Sequence, residues 1–326
     1  MTPGAARPRV EWRRVDGILL LDKPVGLSSS QALQQARRLY RATKAGHTGS
    51  LDPLASGVLP LCFGQATKIA GLLLDSDKTY RASLVLGSRT STGDREGTVV
   101  ETRPVPPLTA AAVRAVLEGF IGEREQMPPM YSALKRDGEA LYKIARRGVE
   151  VGRAPRRIRI VRLALESLED GRLAFEVTCS KGTYVRTLGE EVAAALGTCG
   201  HLEALRRTEV GAFAGQPVHT FAELEALAMD ERALDALLLP VDVGLDALPS
   251  VRLGVDAAVR FRNGQSVVLP AQMPAAPAAG TRLRVYDLTD VLIGLGTLGP
   301  TGSSINPLRL MSASAEPEDA MAVRRE

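Results

Sequence analysis

One acidic side chain stands in the middle of Gly46-His47-Thr48-Gly49-Ser50-Leu51-Asp52-Pro53-Leu54-Ala55-Ser56-Gly57, between two glycine-bearing turns. Pro53 fixes the torsion after Asp52 and biases Asp52 itself away from helix, so its carboxylate should project from a tight, pre-set loop. Gly46, Gly49 and Gly57 can take backbone angles closed to other residues. The apolar runs Val58-Leu59-Pro60-Leu61 and Ile69 to Leu74 can anchor that loop on a packed core. A carboxylate held this way serves as a nucleophile or base once its surroundings tune its pKa. The competing reading is an aspartate that merely caps an Asp-Pro turn.

Other side chains narrow the chemistry. The three cysteines, Cys62, Cys179 and Cys199, lack metal-type spacing and read as small buried hydrophobes. Three histidines, His47, His201 and His219, are too few for a histidine-rich site, so no metal is expected. No Gly-rich loop ends in Gly-Lys-Ser/Thr, which argues against a phosphate-binding NTPase. The net charge of +4 is modest, but its distribution is uneven: residues 135–162 hold ten basic side chains against three acidic ones. Such a patch, with Tyr131 and Tyr142 nearby, suits the neutralisation of RNA phosphates; a solvated face is the plainer alternative.

A chain of 326 residues with 45% apolar and 24% charged side chains should form about two soluble domains. It has no apolar stretch of membrane-spanning length, and Met1 to Arg14 lacks an apolar signal core, so a cytoplasmic location is expected. Gly17 to Leu21 reads as a buried strand, followed by a helix capped by Ser30 with Ala32, Leu33, Ala36, Leu39 and Tyr40 inward. Tyr80 to Leu86 alternates as a strand, and Ile158–Leu165 with Leu173–Thr178 forms a hairpin across Glu169-Asp170-Gly171. Leu188, Val192, Ala195 and Leu196 fall at helical spacing up to Gly197. Thr220-Phe221-Ala222-Glu223 is a capping box opening a helix toward Leu239. These elements predict an α+β fold rather than strict βαβ alternation. Past Leu248-Pro249-Ser250 the pattern changes to short strands, 258–261, 266–269, 283–286 and 291–294, which suggest a small β-barrel. Pro270 to Gly280 reads as a loop, and 313–326 as a flexible tail.

The aspartate string, continued through Gly64-Gln65-Ala66-Thr67-Lys68, resembles the signature of the bacterial tRNA pseudouridine-55 synthases, the TruB family. Five further blocks resemble that family in the same order: Leu21-Asp22-Lys23-Pro24 with Gly26 and Ser28-Ser29, Asp75 to Tyr80, Met130 to Lys135, Ser180 to Thr187, and Leu205-Arg206-Arg207. The resemblance implies a pseudouridine-synthase domain over 15–249, a mixed, largely antiparallel sheet with flanking helices. A mobile RNA-binding insertion at 127–151 and a PUA-like β-barrel RNA-binding domain at 250–312 are implied as well, with a flexible N-terminus at 1–14. It implies an isomerase converting uridine 55 in the T loop of tRNA, with base flipping, no cofactor and no obligate protein partner, acting as a monomer. A tRNA-folding role beside catalysis is compatible with it, and an enzyme of the same fold working on another RNA or with a guide RNA is the rival. Asp52 would be the essential aspartate and Arg186 its partner. Tyr80, Tyr184 and Leu205 would line the base pocket, and His47 would help the extruded nucleotide. Lys23 and Lys68 would hold loops or face phosphates, and Arg146, Arg147, Arg156 and Arg157 would contact RNA.

Overall fold

The computed structural model describes residues 11–269 and 278–312. The chain opens with β1 (Gly17–Lys23), α1 (Ser29–Leu39), β2 (Ala45–His47), β3 (Ser56–Phe63), α2 (Ala70–Leu73) and β4 (Lys78–Leu86). A small hairpin, β5 (Ser88–Thr90) and β6 (Val99–Thr102), precedes α3 (Ala110–Glu118) and β7 (Gly122–Gln126). Next come β8 (Lys135–Arg136), β9 (Glu139–Ala140), α4 (Leu141–Arg146), the long β10 (Arg156–Glu169), β11 (Arg172–Cys179), α5 (Val185–Ala195) and β12 (Gly200–Val210). Short helices α6 (Phe221–Ala226) and α7 (Glu231–Asp235) lead to β13 (Ser250–Arg252), α8 (Val255–Arg262), β14 (Val267–Val268), β15 (Arg282–Tyr286), β16 (Leu292–Leu298) and β17 (Ser304–Leu310).

The main sheet has the order β1-β3-β12-β4-β11-β10-β7, with β2 attached to β3. All its pairings are antiparallel except β12 with β3, where Arg206 and Arg207 run parallel to Ser56 and Gly57. The apolar runs of β1 and β3 have no polar alternation because both faces are covered. Leu19, Leu21, Leu59, Leu61 and Phe63 enter one core cluster, while Ile18, Leu20, Val58 and Cys62 enter a second. Strand β4 alternates as its sequence requires, with Tyr80, Ala82, Leu84 and Leu86 buried and Arg81 exposed.

The C-terminal unit is a five-stranded mixed sheet, β13-β15-β16-β17-β14, around its own core of Val251, Phe261, Leu283, Val285 and Ile305. Its outer strands in this order are β13 and β14. The unit is not a separate bead. Leu295 and Met311 pack into the second core cluster with Ile18, Leu20 and Val58, and Lys68 Nζ donates to the Leu310 carbonyl at 2.7 Å.

Several local expectations need correction. Residues 258–261 are not a strand but part of α8, because Ala258 and Phe261 sit three apart on one inward helical face. The first helix is capped by Ser28, not Ser30, in a reciprocal box with Gln31. The helix opened by Thr220 ends at Ala226; Asp230 accepts from the Arg232 and Ala233 amides and starts α7 afresh. The flexible N-terminal boundary at residue 14 lies too late, since Arg13 donates to both carboxylate oxygens of Asp235 at 2.7 Å and to the Tyr40 carbonyl. The expected tail and most of the Pro270–Gly280 loop lie outside the described residues.

Candidate active site

A cleft of about 620 Å³ opens over the centre of the main sheet, where β3, β4 and β12 meet the start of α5. Asp52, Tyr80, Tyr184, Arg186 and Leu205 all line it, together with Arg156 and Arg157. The aspartate loop is bound at several points. Ser29 Oγ donates to the Leu51 carbonyl at 3.0 Å and accepts from the Leu51 amide at 2.7 Å. The Gly26 amide reaches the Pro53 carbonyl, and the Ala55 amide turns back onto the Asp52 carbonyl. Gly57, at φ 102°, permits the return into β3: a Cβ there would sit 2.1 Å from the Arg207 carbonyl oxygen. The Asp-Pro turn therefore does more than reverse the chain; it aims a carboxylate into the cleft.

Arg186, in the first turn of α5, meets that carboxylate with Nε 3.0 Å from Asp52 Oδ2. The arginine side chain is 5% exposed and the aspartate 45%, so a buried cation holds a carboxylate that still faces the cleft. The guanidinium is satisfied on all sides. Nη1 donates to the Thr92 carbonyl at 2.7 Å and lies 3.4 Å from Asp94 Oδ2, while Nη2 donates to the Tyr131 carbonyl at 2.6 Å. Asp94, itself buried, accepts from Thr92 Oγ1 and from the Glu96 amide through its other oxygen. The β5–β6 turn, the root of the 127–151 segment and the aspartate loop are thus joined through one guanidinium.

Burial pushes the Asp52 carboxyl above the ordinary aspartate value, Arg186 pulls it back, and nearby Asp94 pushes it up again. A carboxylate poised this way is a stronger base than a free aspartate. Tyr80 is almost fully buried, and burial raises its phenol. Tyr184 caps the N-terminus of α5, and its backbone is stapled by Gln126: the Tyr184 amide donates to Oε1 at 2.8 Å, and Nε2 donates to the Tyr184 carbonyl at 3.2 Å. Two aromatic rings and an apolar Leu205 beside a charged pair suit a planar, polar-edged ligand such as a nucleobase.

The remaining expected residues separate into groups. His47, on β2, is half-buried outside the lining of the cleft; its Nδ1 has no partner among the described residues, and burial followed by the charge of Arg207 lowers its pKa. Lys23 is fully buried and donates to the carbonyls of Pro24 and Leu27. Burial pushes its ammonium down to about 8, against the opposing pull of Asp52. It holds a loop and does not face phosphates. Lys68 likewise tethers the C-terminal unit. Arg147 is engaged at both nitrogens by Glu139, and Arg146 lies 5.6 Å over the Tyr142 ring. Ser29, Asp94, Gln126 and Arg207 have no assigned role in the sequence reading of the site. Ser29 and Arg207 lie in blocks that resemble the family, but what they touch is set by the folded chain.

Fold and cleft together define a pseudouridine-synthase domain. In solved structures, the fold is similar to one in a Cbf5-Nop10-Gar1 complex, with a TM-score of 0.69 at 23% identity over 94% of this chain and 92% of that one. The family model for the TruB family pseudouridylate synthase N-terminal domain matches residues 37–185. Residues 186–246 match the tRNA pseudouridylate synthase B C-terminal domain, and 249–311 match the pseudouridine synthase II TruB C-terminal model. A tRNA pseudouridine synthase B of Burkholderia mallei (strain ATCC 23344) is 53% identical over 92% of this chain and 97% of its own length. One of a Marinomonas species (strain MWYL1) is 46% identical over 94% and 98%. The chain belongs to the TruB family of pseudouridylate synthases, and is accordingly an isomerase.

Proposed function

We propose that this protein converts uridine 55 in the T loop of tRNA to pseudouridine, binding the tRNA directly, as a monomer in the cytoplasm. The observation that carries the reading is the Asp52–Arg186 pair at 3.0 Å, set in a cleft between Tyr80 and Tyr184. The resemblance of its surrounding blocks to enzymes of that specificity supplies the substrate.

The reaction breaks the N1–C1′ bond, turns the uracil, joins C5 to C1′, and moves the C5 proton to solvent while N1 gains one. Every heavy atom of the product is already in the substrate, so the chemistry calls for no cofactor. The base must leave its stack to reach Asp52, and the extrusion costs a few kcal/mol. Asp52 then attacks C1′ or C6, or assists removal of the C2′ proton. Arg186 keeps the carboxylate ionised and oriented. The ring of Tyr80 gives the detached uracil a face on which to turn, and Tyr184 and Leu205 exclude water from it. Segment 127–151, hinged where Tyr131 meets Arg186, closes over the T arm, and Arg156 and Arg157 take phosphates at the rim. The C-terminal unit adds RNA-binding surface. No helix among the described residues is long and apolar enough to cross a membrane, in keeping with this setting.

The test is to incubate the purified protein with unmodified tRNA transcript and map pseudouridine by carbodiimide modification and reverse transcription. A single stop at position 55 is expected. Stops elsewhere, or a requirement for a guide RNA, would refute the assignment.

A further inference from the structure

Arg207 carries a guanidinium into the interior of the catalytic sheet. It is 1% exposed and heads the fully buried side chains by volume, and among the described residues no carboxylate forms an ion pair with it. A buried charge without a counter-charge is costly unless hydrogen bonds hold it. The bonds it makes go to the two ends of the aspartate loop: Nε donates to the Val58 carbonyl at 2.7 Å, and Nη2 to the Gly49 carbonyl at 3.1 Å.

Its backbone fixes the same region. On β12, Arg207 lies opposite Tyr80 of β4 and alongside Gly57 of β3. Its approach to Gly57 is too close for any side chain there. The charge of the guanidinium bears on Tyr80, His47, Lys78 and Lys23. One residue therefore spans the entry to the aspartate loop and its exit with its side chain, and meets Tyr80 through its backbone.

We propose that Arg207 is a positioning residue of the isomerisation, a buried clamp whose side chain holds the Asp52 loop and whose backbone ties that loop to the strand carrying Tyr80. This rests on the proposed role of Asp52. Arg207 reaches the floor of the cleft, and two of its nitrogens are engaged by the Gly49 and Val58 carbonyls. The clamp lies on the chemical step rather than on RNA affinity, because the loop it fixes carries the reacting group.

The experiment compares Arg207→Ala and Arg207→Lys with the unsubstituted chain in single-turnover isomerisation of tRNA transcript at saturating enzyme. Filter binding of the same tRNA and circular dichroism accompany it. A reactive group misplaced by about 1 Å costs about a hundredfold in rate, and that loss is expected for Arg207→Ala with tRNA affinity unchanged. Methylguanidinium, filling the space left by the side chain, should restore part of the lost rate. Lysine keeps the charge but cannot bracket two carbonyls with a planar fork, so Arg207→Lys should be folded and slowed by about tenfold. Arg207→Lys at full rate would overturn the proposal. So would a rate loss in Arg207→Ala matched by weakened tRNA binding without rescue, or the failure of both variants to fold. If only Arg207→Ala fails to fold, the lysine variant decides alone. An Asp52→Asn chain assayed in parallel separates the two claims: if it stays active, the reading of Asp52 fails, whatever Arg207 does.

Discussion

Replacing Arg186 with Gln should move the acid limb of the pH–rate profile upward. The Asp52 carboxyl already lies above the ordinary aspartate value through burial, and the guanidinium at 3.0 Å is the largest influence drawing it down. At an effective dielectric constant of about 20, unit charges at that separation interact by roughly 5 kcal/mol, an upper bound. Asp52 is 45% open to the cleft, so solvent screens much of this. An opposite charge at such range draws a carboxyl down, so removing it lets burial and Asp94 carry the Asp52 carboxyl further up. Activity requires the ionised carboxylate; it is present above the folded-state pKa and lost as pH falls through it, so the variant loses activity at higher pH. Stability runs the other way for Asp52, because a carboxyl raised on folding favours the fold when protonated and loses that contribution as pH rises through its folded value. A second signature separates this from simple misfolding. Asp94 is 3% exposed, and without Arg186 it keeps only Thr92 and the Glu96 amide as partners. Breaking a buried pair at one end costs about 3–5 kcal/mol, and Asp94→Asn in the same chain should recover part of that. Single-turnover rates across pH and thermal melts of the single and double variants provide the assay. An acid limb left where the unsubstituted chain has it would refute the electrostatic role given to Arg186.

Arg156→Ala with Arg157→Ala should weaken tRNA binding and flatten its log–log salt dependence, by up to ~0.9 for each duplex phosphate that an arginine no longer neutralises. Arg147→Ala should change it less, since that guanidinium already belongs to Glu139; an equal effect at both sites would contradict this ordering. Leu295→Ala should destabilise the whole chain by about 2–5 kcal/mol in a single melting transition, because Leu295 is fully buried in the core shared with Ile18 and Leu20. For the same reason, cutting the chain at residue 250 should yield an aggregating or unfolded product; a soluble, fully active truncation would show that the shared core contributes little.

The proposed catalytic pair is legible in the sequence. An aspartate before proline between glycines announces a fixed loop, and the Lys-Gly-Thr-Tyr-Val-Arg string marks Arg186 only through its resemblance to the family. The strands of the main sheet are legible where polar and apolar residues alternate, as in β4. Asp94 is not, because nothing in Ser91-Thr92-Gly93-Asp94 distinguishes an exposed turn from one folded down onto a buried arginine. Gln126 looks like any polar strand end, although its amide stands in for a backbone bridge to Tyr184. Helix α8 reads as a strand because the short segment Ala258-Val259-Arg260-Phe261 fits both periods, and only the inward faces of Ala258 and Phe261 decide. The shared core around Leu295 has no local signal at all, since it depends on which face of β1 the C-terminal unit covers.

Release of tritium from tRNA labelled at C5 of uridine tests the central claim most directly, because forming the C5–C1′ bond must expel that hydrogen. With the label confined to the T loop, the unsubstituted chain should release one equivalent per tRNA. Asp52→Asn, which keeps the shape of the side chain but removes its charge, should release none while binding the same tRNA with undiminished affinity. Stoichiometric release by Asp52→Asn would contradict the account, for the carboxylate held by Arg186 would then not be the group that performs the reaction.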